Sequence, residues 1–332
     1  MSCLDKRHIL EIENLSVTFR QYEGGVRQID LPVISDLNVS VHEGEIVAVV
    51  GSSGSGKSLL AHAVMGVLPR NARMEGTIYY QEELLTSERL KALRGKEIAL
   101  VPQSVNYLDP LMKVGKQAAG GRKDVGVRKK VGSLFARYGL KEATQELYPF
   151  ECSGGMSRRI LLATALMGDP RLIIADEPTP GLQLDLAKKA MQDFRRFADE
   201  GNGVLLITHD IELALEVADR IAVFYAGTTV EEAKVEDFAS EESLRHPYTK
   251  ALWRAMPQNG FQSIPGVQPY VKDMPKGCPF GPRCPQFDRE CTGEIPVQVV
   301  NCGTVRCVKC HGREGHRHDI GGERNSICLS GK

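Results

Sequence analysis

Residues 51–58 read GSSGSGKS, and this octet constrains the fold more than any other stretch of the chain. It follows the apolar run EIVAVV and precedes KSLLAHAVMGVLP, a helical pattern stopped by Pro69. A buried strand, a glycine-rich turn and a helix in that order make a phosphate-binding loop. Gly51, Gly54 and Gly56 allow backbone torsions that turn successive N–H groups toward one centre. The cradle therefore runs through Ser52 and Ser55 to Leu59, and the helix adds its N-terminal dipole. Lys57 supplies a point charge for β- and γ-phosphates, and Ser58 a hydroxyl for Mg²⁺.

The rest of the chain supplies a setting for this loop. Apolar runs at 97–103, 172–178, 203–210 and 220–227 have the length and continuity of strands buried on both faces. Helical patterns at 153–168 and 184–201 alternate with them, the first opened by Ser153 as N-cap and closed by Gly168. This alternation predicts a doubly wound α/β domain. The first forty residues instead alternate apolar and polar, which predicts a small antiparallel β-subdomain. The stretch 104–149 carries no strand signal and is expected to be mostly helical. The run RLIIADEP, 171–178, ends a buried strand in two acids. Asp176 is placed to hold Mg²⁺, and Glu177 to orient or deprotonate an attacking water.

Composition excludes several classes. With 42 basic and 42 acidic residues in 332, no basic field argues for nucleic acid. No apolar run has the ~18 residues of a membrane span, and the start lacks a signal-peptide core. The expected location is intracellular, where thiols stay reduced.

Beside these features the segment ECSGGMSRR, 151–159, resembles the LSGGQ signature of ATP-binding-cassette (ABC) transporter ATPases, placed shortly before IIADEP as in that family. Gln103 resembles the Q-loop glutamine and His209 the switch histidine; PTPGLQ, 178–183, occupies the D-loop. Phe19 sits where the family's adenine-stacking aromatic lies, with Tyr22 as the alternative. The resemblance covers residues from about 9 to 230. It implies ATP and Mg²⁺ as ligands, with Ser58, Gln103 and Asp176 around the ion and Glu177, Gln103 and His209 in catalysis. Ser153, Gly154 and Gly155 would contact nucleotide held by a second cassette. Two departures, Cys152 and Met156 in the signature and Gln183 at the end of the D-loop, act on the partner's site and imply a heterodimer with unequal sites.

LRHPYTKAL, 244–252, and CPFGPRC, 278–284, resemble the C-terminal extension of the peptide/nickel importer branch. That resemblance implies two membrane permease subunits, an extracytoplasmic solute-binding protein, and a peripheral position on the cytoplasmic face of the membrane. Uptake of short peptides or nickel is the expected function; the alternative is a soluble ABC ATPase acting on nucleic acid. Seven of nine cysteines lie between Cys278 and Cys328. The resemblance implies a four-iron four-sulfur cluster on Cys278, Cys284, Cys291 and Cys307. Zinc drawing on Cys310 is the alternative, because five- and six-residue gaps are wide for zinc but Cys307 and Cys310 form a knuckle-like pair. The expected organisation is an ATPase domain over 1–235 with a helical subdomain at about 104–160, an extension over 236–316, and a tail over 317–332.

Overall fold

The computed structural model describes residues 7–52, 54–168, 170–300 and 303–308. Its strands are β1 (His8–Glu23), β2 (Arg27–His42), β3 (Glu45–Gly51), β4 (Ala72–Tyr80), β5 (Glu83–Leu84), β6 (Ile98–Val101), β7 (Leu172–Asp176), β8 (Gly203–Thr208), β9 (Arg220–Tyr225), β10 (Thr228–Lys234), β11 (Val297–Val300) and β12 (Gly303–Arg306). Its α-helices are α1 (Lys57–Val64), α2 (Ser87–Leu93), α3 (Val114–Ala118), α4 (Val125–Arg137), α5 (Gly154–Ala165), α6 (Leu184–Asp199), α7 (Ile211–Leu215) and α8 (Pro247–Arg254).

Two sheets form. The small one runs β2-β1-β4-β5 and is antiparallel throughout; the large one runs β11-β12-β10-β9-β3-β8-β7-β6. Within the large sheet β9, β3, β8, β7 and β6 are parallel, as their continuous apolar runs required. All seven residues of β3 are buried, and the pleat divides them between two cores. Ile46, Ala48 and Val50 face one that includes α5 and α6, and Val47 and Val49 face the other. That second core also holds Leu60, Ala61 and Val64 of α1 and the inner faces of β1 and β2. At ~1.5–3 kcal/mol for each fully buried aliphatic side chain, this two-sided burial fixes where β3 ends and the loop begins.

The region 104–149 is mostly helical, with α3, α4 and three short 3₁₀ turns. One feature of the extension carries no signal in the sequence. β12 pairs antiparallel with β10, Glu231 opposite Val305, so the end of the described chain rejoins the ATPase sheet. Tyr248, Cys278, Phe280 and Cys291 are buried in the same core as α5 and α6. The extension is thus integrated into the large sheet and its core. Buried Glu231 fastens its start, accepting the N–H groups of Arg245 and His246 at 2.9 and 2.8 Å.

Candidate functional site

The phosphate loop leaves β3 at Gly51, where a Cβ would lie 2.1 Å from the Phe224 carbonyl oxygen on β9. Only glycine permits so close an approach. The loop enters α1 through Gly56, whose φ of 97° is left-handed. Lys57 folds back and donates Nζ to the carbonyls of Gly51 and Ser52, at 2.8 and 2.9 Å. It is almost wholly buried, and desolvation pushes its pKa down against the pull of Glu177 and Asp176. The buried Ser55 hydroxyl finds no hydrogen-bond partner among the described residues. A donor left orphaned inside such a loop fits an anionic ligand. The Leu59 N–H is taken by Gly56, at 3.0 Å.

Ser58, Asp176 and Gln103 converge from three elements. Ser58 Oγ at the start of α1 donates to Asp176 Oδ1 at 3.0 Å and lies 3.5 Å from Gln103 Oε1, just beyond β6. A hydroxyl, a carboxylate and an amide oxygen are the hard donors that Mg²⁺ takes. Burial, aided by the charge of Glu177, pushes the Asp176 carboxyl up, and the Ser58 hydrogen bond opposes it. A divalent cation would hold it ionised.

Glu177 follows β7 in a left-handed conformation, φ 47°, its N–H held by Ile207 O at 2.8 Å. That turn takes its side chain out of the strand. Nδ1 of His209, at the end of β8, lies 2.8 and 2.9 Å from its two carboxylate oxygens. The sequence does not show this pairing, since 32 residues separate the two. It also missed Arg158 of α5. Arg158 is buried, donates to Pro102 O at 2.9 Å, and feels the charges of Asp176 and Glu177. It ties the signature helix to the segment carrying Gln103; its only sequence signal was a second basic residue beside Arg159.

Ser153 caps α5, its hydroxyl accepting the Met156 N–H at 3.3 Å, with Gly154 exposed and Gly155 beside the carbonyl of Gly181. Gln183 occupies the N-cap position of α6 with no side-chain bond to the helix. Phe19 is half-buried against the second core, whereas Tyr22 stands in solvent with its hydroxyl bonded by Gln28.

In the extension, a small cavity of about 20 Å³ is lined by Cys278, Cys284, Cys291 and Cys307 together with His246 and Phe287. Cys278, Cys284 and Cys291 are outside disulfides, whereas Cys307 is disulfide-bonded. Burial raises the Cys278 and Cys291 thiols, and the neighbouring Cys284 and Cys291 add to the rise at Cys278. The four sulfurs share one cavity, but among the described residues no group of three or more ligands takes up metal-binding geometry. Cys3, Cys302, Cys310, Cys328 and the 317–332 tail lie outside the described residues. Among the described residues no helix is long and apolar enough to cross a membrane.

A phosphate loop, a hard-donor triad and a paired Glu–His on one α/β sheet define an ATP-hydrolysing cassette. A dimeric bacterial ABC transporter cassette superposes with a TM-score of 0.59 at 28% identity, over 68% of this chain and 98% of that one. The same cassette in a post-hydrolysis state with ADP and phosphate matches equally. The ABC transporter family profile matches residues 34–180, and the oligopeptide/dipeptide transporter C-terminal region matches 230–291. The oligopeptide transport ATP-binding protein OppD of Salmonella typhimurium is 35% identical, over 91% of this chain and 93% of its own. The dipeptide transport ATP-binding protein DppD of Haemophilus influenzae is 34% identical, over 91% and 95%. The chain belongs to the ABC transporter ATPase family, in the branch that carries the oligopeptide/dipeptide C-terminal region.

Proposed function

We propose that this chain is the ATP-hydrolysing subunit of an importer of short peptides, seated on the cytoplasmic face of the membrane against two permease subunits. One observation carries the reading: the likeness to peptide-transport ATPases spans some nine-tenths of the chain, the C-terminal region included. An extracytoplasmic binding protein would deliver the solute, and a nickel complex is the other cargo the branch implies. The nucleic-acid alternative gains no support, since the relatives named above are transport proteins.

The residues divide the work. Lys57 and the loop from Gly51 through Ser52, Gly54, Ser55 and Gly56 to Leu59 bind the phosphates, and Phe19, with the more open Tyr22 as the alternative, offers its ring to the base. Ser58, Asp176 and Gln103 would hold Mg²⁺, which neutralises phosphate charge when bound. Glu177 takes a proton from the attacking water, and His209 orients Glu177. The start of α5, with Ser153, Gly154 and Gly155, closes on nucleotide in a second cassette. Cys152, Met156 and Gln183 favour a related but different subunit as partner.

We propose further that Cys278, Cys284 and Cys291 hold a four-iron four-sulfur cluster once drawn together, with Cys307 as fourth ligand after its disulfide is reduced. Their shared cavity and thiolate chemistry support the cluster; zinc is the alternative. Such a group would brace an extension that contains little regular structure.

Reconstitution of the chain with its permeases and a second cassette in vesicles tests the function. ATP hydrolysis should rise when a peptide-loaded binding protein is added, and peptide should accumulate. Hydrolysis indifferent to peptide but driven by a nickel complex would replace the cargo; stimulation by DNA alone would replace the function.

A further inference from the structure

The extension touches the phosphate loop directly. Ser52, second residue of that loop, donates its hydroxyl to Gln268 Oε1 at 2.5 Å. Tyr248 is buried beside the rings of Tyr225 and Phe280, at 4.5 and 5.3 Å. The Ser52 carbonyl in turn holds Lys57 Nζ, with that of Gly51. An ammonium has three donors. Two are fixed by the loop, and the third is left for phosphate.

The Gln268 contact leads back to Arg283, inside the segment from Cys278 to Cys284. Arg283 Nε and Nη2 donate to the carbonyls of Pro265 and Ile264, at 2.8 and 3.1 Å, fixing the chain that leads to Gln268. Nη1 donates to the Tyr225 hydroxyl at 3.2 Å, and the guanidinium lies over the rings of Tyr225 and Phe280.

We propose that Gln268 is a positioning residue of the nucleotide site, holding Ser52 and through it Lys57, and that Arg283 joins this clamp to the cysteine-rich segment. The proposal rests on residues 51–58 being the nucleotide loop. Its physical basis is preorganisation. A loop with three glycines loses much backbone freedom on binding, and a clamp meets that cost before the ligand arrives. The clamp makes the extension part of the ATP site, although Gln268 lies 216 residues from Ser52 in sequence.

Calorimetric titration of the full chain with MgADP tests this without a second cassette. Gln268→Ala, on a partly exposed strap, should keep the melting temperature and weaken MgADP about 3- to 10-fold, the worth of one hydrogen bond. In a Ser52→Ala background the same change should cost less than twofold, because its partner is gone. Arg283→Lys should weaken binding too, since lysine keeps the charge but neither the fork nor the stacking. A Gln268→Ala chain that binds as the parent does, or that loses equally in both backgrounds, would overturn the clamp. An unaltered chain that fails to bind MgADP would overturn the nucleotide reading and the clamp with it.

Discussion

Replacing Lys57 by alanine separates the nucleotide reading from a structural role for the loop. The ammonium is nearly buried and lies against two carbonyls, and burial already lowers its pKa. Folding therefore gains little from it, with only the buried Gly51 carbonyl losing a donor out of reach of water when it goes. Its attraction to a phosphate oxygen is a different matter. One unit charge at ~4 Å and an effective dielectric of ~20 is worth roughly 4 kcal/mol, about a thousandfold in an equilibrium or rate. Lys57→Ala should therefore lower kcat/KM for ATP about a thousandfold, and the melting temperature should stay within a few degrees. Steady-state phosphate release by the assembled complex, with thermal unfolding in parallel, measures both. A loss under tenfold would refute the placement of Lys57 against the β- and γ-phosphates. A large loss with a collapsed melting temperature would assign the lysine to the fold instead.

Glu177→Gln should leave MgATP binding near the parent's, stop turnover by about 100-fold or more, and trap the two cassettes closed, as gel filtration with ATP would report. Anaerobically purified protein should contain iron and absorb broadly at about 400 nm. Cys278→Ser, Cys284→Ser, Cys291→Ser and Cys307→Ser should each lose that absorption and Cys310→Ser should retain it; one zinc and no iron would decide for zinc. Burial alone would raise the Glu45 carboxyl, yet hydrogen bonds from His42 and Arg220 outweigh it and hold it at about 2 against the ordinary 4.5. A carboxylate lowered on folding stabilises the fold above its unfolded pKa, so this contribution, about 3 kcal/mol, should fade as pH falls from 4.5 toward 2. Urea titrations should show Glu45→Gln less stable at pH 7 and flatter over that window, and parallel curves would remove the assignment.

Local chemistry made much of this protein legible in its sequence. The glycine spacing of 51–58, the acids ending 171–178 and the continuous apolar runs each have one structural meaning, because a phosphate cradle and a strand buried on both faces tolerate few other sequences. The parallel strands of the large sheet and the meeting of Ser58 with Asp176 accord with them, whereas the order β9-β3-β8-β7-β6 does not show in any one of these stretches. What the tertiary structure decided depends on residues far apart. The Glu177–His209 pairing needs two strand ends to be neighbours, and Phe19 rather than Tyr22 packs inward because of how β1 lies on its core. β11 and β12 are four residues each, too short for a period to show, and they form because β10 offers a free edge. Gln268 lies in a stretch with no periodicity and nothing local marks it, and Arg283, though inside CPFGPRC, carries no local sign of its tie to the phosphate loop. Only the return of the extension to the ATPase sheet brings them to the phosphate loop, because hydrogen bonds and ring contacts act over a few ångströms of space and are blind to distance along the chain.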